Sequence, residues 1–215
     1  MPGVLYLHGF ASGPESAKGV FFRERFAARG IEVDLPDLAA GDFEHLTLTG
    51  QLAVIDQRVR RRSPQAVIGS SLGGYLAALY AARHPGAFRA LVLLAPGFGF
   101  ARRWPVSLGE DAQSAWRQRG WMEMYHYGLR RPCRLGYQLI EDGLQYEDYP
   151  EVSDPTLIIH GARDDTVPPP SSEEFARSRP NVTLRLIDSN HELTDSLDRV
   201  WGLTTAFLDP LPVKL

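Results

Sequence analysis

Apolar residues fall along this chain in short, nearly unbroken runs separated by turn residues: Val4–Leu7, Ile31–Leu35, Ala66–Ile68, Leu91–Leu94, Thr156–Ile159 and Val182–Ile187. Runs of this length, mostly without polar alternation, suit strands covered on both faces of a parallel sheet. Between them lie stretches with helical character. Ala17–Arg29 carries Val20, Phe21, Phe22 and Phe26 and stops at Gly30, Leu46–Arg62 is the next, and a third runs from Leu72 to Arg83 before His84-Pro85. Strand and helix in alternation predict an α/β fold, a mostly parallel sheet of about six strands with helices on both faces.

The rhythm breaks between Ala95 and Thr156. Residues 98–152 hold Trp104, Trp116 and Trp121, several Tyr and pairs of Arg. Long insertions in compact domains are often functional. The segment reads either as an ordinary helical segment with an aromatic core or as a lid over a site, and the two readings are compatible. Residues 1–215 are otherwise expected to form one domain, a length sufficient for one substantial core.

The strongest chemical signal is Gly69-Ser70-Ser71-Leu72-Gly73-Gly74, a G-x-S-x-G pattern lying between the Ala66–Ile68 strand and the helix that starts near Leu72. A turn this sharp strains its central residue and needs small neighbours, which Gly69 and Gly73 supply. Ser71 then projects from the sheet at a helix N-terminus, where backbone N–H groups favour developing negative charge. The Leu72 N–H is the first candidate donor of an oxyanion hole. His8-Gly9-Phe10-Ala11, after the first strand, offers the second through Phe10 or, failing that, Ala11. His8 itself is expected to brace that loop.

A serine hydroxyl needs a base, and the base needs an acidic partner. His191 follows the last strand, in Asp188-Ser189-Asn190-His191-Glu192. Asp164 and Asp165 both follow the Thr156–Ile159 strand, in His160-Gly161-Ala162-Arg163-Asp164-Asp165-Thr166-Val167-Pro168. Ligands and chemistry gather at that carboxyl edge in open α/β sheets. The chain order Ser, Asp, His agrees with the hydrolases that use this strand-turn-helix motif.

Composition narrows the partners. A net charge of −3 gives no general attraction to nucleic acid, and Arg60-Arg61-Arg62 stands where a helix should end, as the macrodipole favours. Cys133 is the single cysteine, so no disulfide framework or CxxC site is expected. No zinc spacing, Walker motif or dinucleotide fingerprint is present, so neither metal nor cofactor is expected. The chain opens without a leader pattern and holds no apolar stretch of roughly 18 residues, from which a cytoplasmic protein without a membrane span is expected. The sequence gives no sign of oligomeric state.

Leu5-Tyr6-Leu7-His8-Gly9-Phe10-Ala11-Ser12-Gly13-Pro14-Glu15-Ser16-Ala17-Lys18, with Gly69-Ser70-Ser71-Leu72-Gly73-Gly74-Tyr75, resembles the α/β-hydrolase superfamily and within it the YqiA-like small bacterial esterases. His160–Pro168 and Asn190-His191 are also similar to the mitochondrial acyl-protein thioesterases. The resemblance covers about 1–95 and 155–208 and is weak in the insert. It implies an α/β-hydrolase fold and a carboxylester or thioester hydrolase acting on a small-molecule or acyl-group substrate. By the H-G-x-x-D pattern it assigns the acid to Asp164 and the base to His191, beside the nucleophile Ser71. Trp104, Trp116, Trp121, Tyr125 and Tyr137 are candidates to line an acyl pocket, and Arg102, Arg103, Arg130, Arg131 or Arg134 to meet an anionic group. A peptidase or lactonase with the same triad stays open, as does a catalytically silent hydrolase fold that binds a ligand or partner.

Overall fold

A computed structural model describes residues 3–211. In chain order it contains β1 (Val4–Leu7), α1 (Ala17–Ala27), β2 (Val33–Asp34), α2 (Leu48–Arg62), β3 (Ala66–Ser70), α3 (Leu72–Arg83), β4 (Ala90–Leu94), α4 (Phe100–Ser107), α5 (Glu110–Arg119), β5 (Trp121–His126), β6 (Arg131–Gly136), α6 (Gln138–Gly143), β7 (Thr156–Gly161), α7 (Pro170–Arg177), β8 (Val182–Ile187) and α8 (Leu197–Leu208).

Six strands form one sheet in the order β2-β1-β3-β4-β7-β8, with every neighbouring pair parallel. The continuous apolar runs resolve into two faces of period two. Leu5, Leu7, Val67, Leu91, Leu93 and Ile158 pack under Leu48 and Ile55 of α2, Leu76 and Leu79 of α3 and Phe175 of α7. Val4, Tyr6, Ile68, Val92, Leu94, Leu157 and Ile159 face the other way, under Phe22 and Phe26 of α1 and Val200 and Leu208 of α8. Helices therefore cover both faces, as an all-parallel sheet requires. The chain leaves β1 towards β2 on one side and returns to β3 on the other. That reversal opens a crevice at the carboxyl ends of β1 and β3, where α/β sheets bind ligands.

Several boundaries differ from the sequence-based expectation, three of them for a visible reason. The strand expected over Ile31–Leu35 shrinks to Val33–Asp34. Gly30, at φ 76°, turns the chain so that the Ile31 N–H closes the end of α1 on the Phe26 carbonyl at 3.0 Å, and Ile31 is spent there. The helix expected from Leu46 starts at Leu48, because the Thr47 hydroxyl caps it by accepting from the Gly50 N–H at 2.9 Å. β7 runs on through His160 and Gly161.

The expected helical insert needs the larger correction. Its flanks are helical, as α4, α5 and α6, but its middle is an antiparallel hairpin of β5 and β6, with Met122 opposite Leu135 and Met124 opposite Cys133. Met122, Met124 and His126 alternate with exposed Glu123 and Tyr125. The two Met, with Cys133 and Leu135, join the core beneath, so period-two burial overrides helix propensity here. Among the described residues no helix is long and apolar enough to cross a membrane.

Candidate active site

One residue, Ser71, separates β3 from α3. Its backbone sits at φ 53° and ψ −118°, which a non-glycine residue adopts only when the surroundings over-determine it. They do. The Ser71 N–H donates to the Leu94 carbonyl at 2.8 Å, and its own carbonyl accepts from the N–H groups of Gly74 and Gly97, both at 2.9 Å. Close backbone approach makes the two flanking glycines necessary. A Cβ on Gly69 would lie 2.4 Å from the Gly73 carbonyl oxygen, and one on Gly73 would lie 2.3 Å from that of Leu7.

His191, in the loop after β8, brings Nε2 to 3.0 Å from Ser71 Oγ and Nδ1 to 2.7 Å from Asp164 Oδ2. Asp164 hangs from the loop after β7. Its Oδ1 accepts from the N–H groups of Thr166 at 2.9 Å and Val167 at 2.8 Å. Burial alone raises a carboxyl's pKa, yet the ring N–H groups of His160 and His191, with the Val167 N–H, hold Asp164 well below the usual carboxylate range. It is ionised at neutral pH. Asp165 is exposed, and among the described residues it accepts from the Thr166 hydroxyl alone, at 3.3 Å.

The acid and base loops are joined backbone to backbone. The Ala162 N–H donates to Ile187 at 2.7 Å and the Arg163 N–H to Ser189 at 3.0 Å. Gly161 permits this contact, since a Cβ there would stand 2.3 Å from the Asn190 carbonyl oxygen. On the other side of His191, Lys18 of α1 donates to the Glu192 carbonyl at 2.5 Å. Burial pulls the Lys18 ammonium down to about 8 against the attraction of Glu192 and Asp164.

The loop after β1 lies against the serine turn: a Cβ on Gly9 would be 3.4 Å from Ser71 Cβ. His8 braces the loop as expected. Its Nε2 accepts from the Leu38 N–H at 3.1 Å, so Nδ1 carries the proton and donates to the Gly9 carbonyl at 2.9 Å. Burial lowers its pKa, and the ring is neutral. Among the described residues, neither the Leu72 N–H nor the Phe10 N–H has a backbone acceptor, which leaves both available to a ligand oxygen.

The five aromatic pocket candidates part company. Trp104 packs on Phe10 of the loop after β1 with ring centroids 4.9 Å apart and stacks on Phe100 at 5.3 Å. Trp116 is core, and its indole N–H is taken by the Leu135 carbonyl at 3.0 Å. Tyr137 packs behind it, with centroids 5.1 Å apart. Trp121 lies under the guanidinium groups of Arg119 and Arg134. Tyr125 is exposed and meets Tyr127 on the hairpin.

Of the arginine candidates, Arg102 pairs with Asp148 at 2.8 Å and Arg134 with Glu44 at 3.9 Å. Arg103 reaches only carbonyls, those of Thr166 at 3.0 Å and Phe98 at 3.3 Å. Arg130 and Arg131 lie at the turn of the hairpin, exposed. Sequence reasoning did not single out Lys18, Gly161 or His160 as parts of the site. Only the H-G spacing ahead of Asp164 carries a signal for the last two.

Among the described residues no cluster of His, Cys, Asp or Glu is arranged to hold a metal ion. What the geometry offers is a hydroxyl, a base aligned on it and an ionised acid behind the base, with the Gly9 loop lying against the serine turn.

Comparison with known proteins adds the lineage. The model of an uncharacterised protein family, UPF0227, matches residues 3–208. The chain is similar to the Xenopus laevis monoacylglycerol lipase abhd6-B, 25% identical over 230 residues, 97% of this chain and 63% of that protein. It is also similar to the mitochondrial palmitoyl-protein thioesterase ABHD10 of Bos taurus, 25% identical over 214 residues, 92% of this chain and 69% of that protein. The chain thus spans under two thirds of the frog lipase.

In structure it resembles mouse α/β-hydrolase domain-containing protein 10, with a TM-score of 0.81 and 20% identity over 98% of this chain and 90% of that one. Ferulic-acid-bound Est1E from Butyrivibrio proteoclasticus gives a TM-score of 0.81 and 22% identity, over 100% and 90% of the two chains. At such identities the likeness speaks for the fold. A family match along nearly the whole chain and these shared folds agree with the strand order and the reversal at β1 and β3: the chain belongs to the UPF0227 family, YqiA-like proteins with the α/β-hydrolase fold.

Proposed function

We propose that the protein is a serine hydrolase that cleaves carboxylic esters or thioesters through an acyl-enzyme intermediate. One observation carries this: Ser71 Oγ, His191 and Asp164 lie in a single hydrogen-bonded line, with contacts of 3.0 and 2.7 Å. His191 Nε2 takes the Ser71 proton as Oγ attacks the acyl carbonyl. Asp164 fixes the ring with its proton on Nδ1 and balances the imidazolium that forms. The N–H groups of Leu72 and Phe10 receive the oxyanion, each worth roughly 3 kcal/mol in such sites. His191 then gives its proton to the departing alcohol or thiol, and a water activated by the same ring releases the acid.

The wall formed by Phe10, Trp104 and Phe100 suits an apolar acyl group. A monoacylglycerol lipase and a palmitoyl-protein thioesterase among the relatives fit the same substrate class. Labelling with a fluorophosphonate probe tests the proposal directly, with p-nitrophenyl esters of increasing chain length assayed in parallel. Wild type should label on Ser71 and turn over, and Ser71→Ala and His191→Ala should do neither at a comparable rate. A folded wild-type protein that neither labels nor cleaves any ester refutes it and leaves a silent, ligand-binding fold.

A further inference from the structure

His160 is fully buried, although nothing about a strand-ending histidine calls for burial. Its surroundings are polar and specific. Nε2 lies 2.8 Å from the Val167 carbonyl and 3.0 Å from Asp164 Oδ2, and Nδ1 lies 2.7 Å from the hydroxyl of Ser172 on α7. Ser172 is also fully buried. Two acceptors at Nε2 require that this nitrogen carry a proton, so in the neutral ring Nδ1 accepts from the Ser172 hydroxyl. The Nε2–H points at the carbonyl and leans on the carboxylate oxygen that already receives His191.

We infer that His160 is a positioning residue for the acid, with its Nε2–H locking the loop from Asp164 to Val167 around the carboxylate and sharing Oδ2 with His191. The inference rests on the serine-hydrolase function proposed above and deepens it. Val167 is tied twice, its N–H to Asp164 Oδ1 at 2.8 Å and its carbonyl to His160. With Thr166 and His191, Asp164 then accepts three hydrogen bonds, and His160 Nε2 stands 3.0 Å from the oxygen that receives His191. A carboxylate so saturated keeps one rotamer and one charge state, which orienting the base requires. His160 also tempers the acid. A second donor at Oδ2 withdraws charge from the bond to His191, so the imidazolium is stabilised less than it would be by a carboxylate that His191 held alone.

The charged groups from neighbouring elements that act on this carboxylate through space are Lys18 of α1 and Arg103 of α4. Both stay in place when His160 is changed. His160→Phe keeps the ring volume and removes the N–H. It should lower kcat about 10- to 100-fold, the range seen when supporting partners of a site are lost, with KM changed little. The acid limb of kcat/KM should move to higher pH, because His191 then holds its proton more tightly. His160→Gln, which can place an N–H near the position of Nε2, should recover part of the rate and return the limb towards wild type.

Proton NMR gives a readout that does not need turnover. The low-field resonance of the proton between His191 Nδ1 and Asp164 should shift further downfield in His160→Phe. An unshifted acid limb and an unshifted resonance in a folded His160→Phe variant would show that His160 only fills space. Should that variant not fold, Ser172→Ala replaces it. Loss of the hydroxyl donor makes the Nε2–H a weaker donor, so a smaller shift in the same direction is expected, and no shift overturns the inference. Failure of the wild type to label on Ser71 counts against the hydrolase function alone, since the NMR resonance reports the His160 coupling either way.

Discussion

The N–H of Tyr127, at the tip of the β5–β6 hairpin, donates to the carbonyl of Ala11 at 2.8 Å. Ala11 stands at φ 51°, one residue beyond Phe10, and left-handed backbone at a non-glycine residue must be held by its neighbours. The hairpin is one such neighbour. Gly128 presses on the same loop so closely that a Cβ there would meet the Gly13 nitrogen at 3.2 Å. The insert is thereby fastened to the strand-end loop that presents the Phe10 N–H.

Tyr127→Pro removes that single donor and should displace the Phe10 N–H from a forming oxyanion. Losing a whole donor costs about 100- to 1000-fold, and a misplaced one should cost about tenfold in kcat, again as an order-of-magnitude estimate. Tyr127→Phe keeps the N–H and should behave as wild type. Equal esterase rates in all three proteins would show that the hairpin does not support the loop.

Two glycines should prove intolerant for a reason unrelated to turn propensity. Gly73→Ala drives a methyl group to 2.3 Å from the Leu7 carbonyl oxygen and 2.5 Å from that of His8, and backbone cannot step aside cheaply. Both the serine turn and the loop after β1 must shift, so fluorophosphonate labelling and stability should fall together. Gly161→Ala, 2.3 Å from the Asn190 carbonyl oxygen, should instead part the acid loop from the base loop. Its labelling should drop at least tenfold, by the steep dependence of such sites on alignment. Wild-type labelling in either variant would show that the backbone relaxes more readily than close packing allows.

The sheet and the positions of Ser71 and His191 were legible in the sequence because each depends on local order, whereas Asp164 was chosen over Asp165 only through the resemblance. Parallel strands buried on both faces must be apolar throughout, and Ser71, Asp164 and His191 each follow a strand that the pattern already marks. What the sequence hid depends on tertiary contact. Ile31 reads as strand yet closes α1. Met122 and Met124 read as helix among bulky aromatics and arginines, until their partners Leu135 and Cys133 show that burial alternates. His160 reads as the end of a strand, and its role emerges only when Ser172, eleven residues beyond Gly161, folds back onto its ring. Trp116, a pocket candidate by composition, is claimed by the core that the hairpin completes.

Acid sensitivity should trace in part to His8. Burial holds its pKa below the ordinary 6.5, while the unfolded chain takes up its proton near that value. Stability from the neutral ring is therefore complete above about pH 6.5 and is lost as pH falls from there towards the folded-state pKa. His126, also lowered by burial, contributes with the same sign. His8→Gln keeps an acceptor for the Leu38 N–H and cannot titrate, so the fall in Tm as pH drops below about 6.5 should be shallower than in wild type. A parallel slope in thermal denaturation of the two proteins would exclude His8 as a source.

Ser63 is where a glycine should help. It ends α2 at φ 46° and ψ 55°, with its N–H on the Val59 carbonyl at 2.9 Å, and its side chain is exposed. A left-handed residue with a Cβ costs roughly 1–2 kcal/mol, and glycine is the usual occupant of this position. Against that gain stands the greater freedom of glycine in the unfolded chain, about 0.4–1 kcal/mol. The balance favours Ser63→Gly by between about 0 and 1.6 kcal/mol, and for a chain of this size each kcal/mol raises Tm by roughly 2–4 °C. Ser63→Val should move it the other way, since a branched side chain is least suited to positive φ. A Tm for Ser63→Gly at or below that of wild type would mean that the helix end relaxes out of the left-handed region in solution.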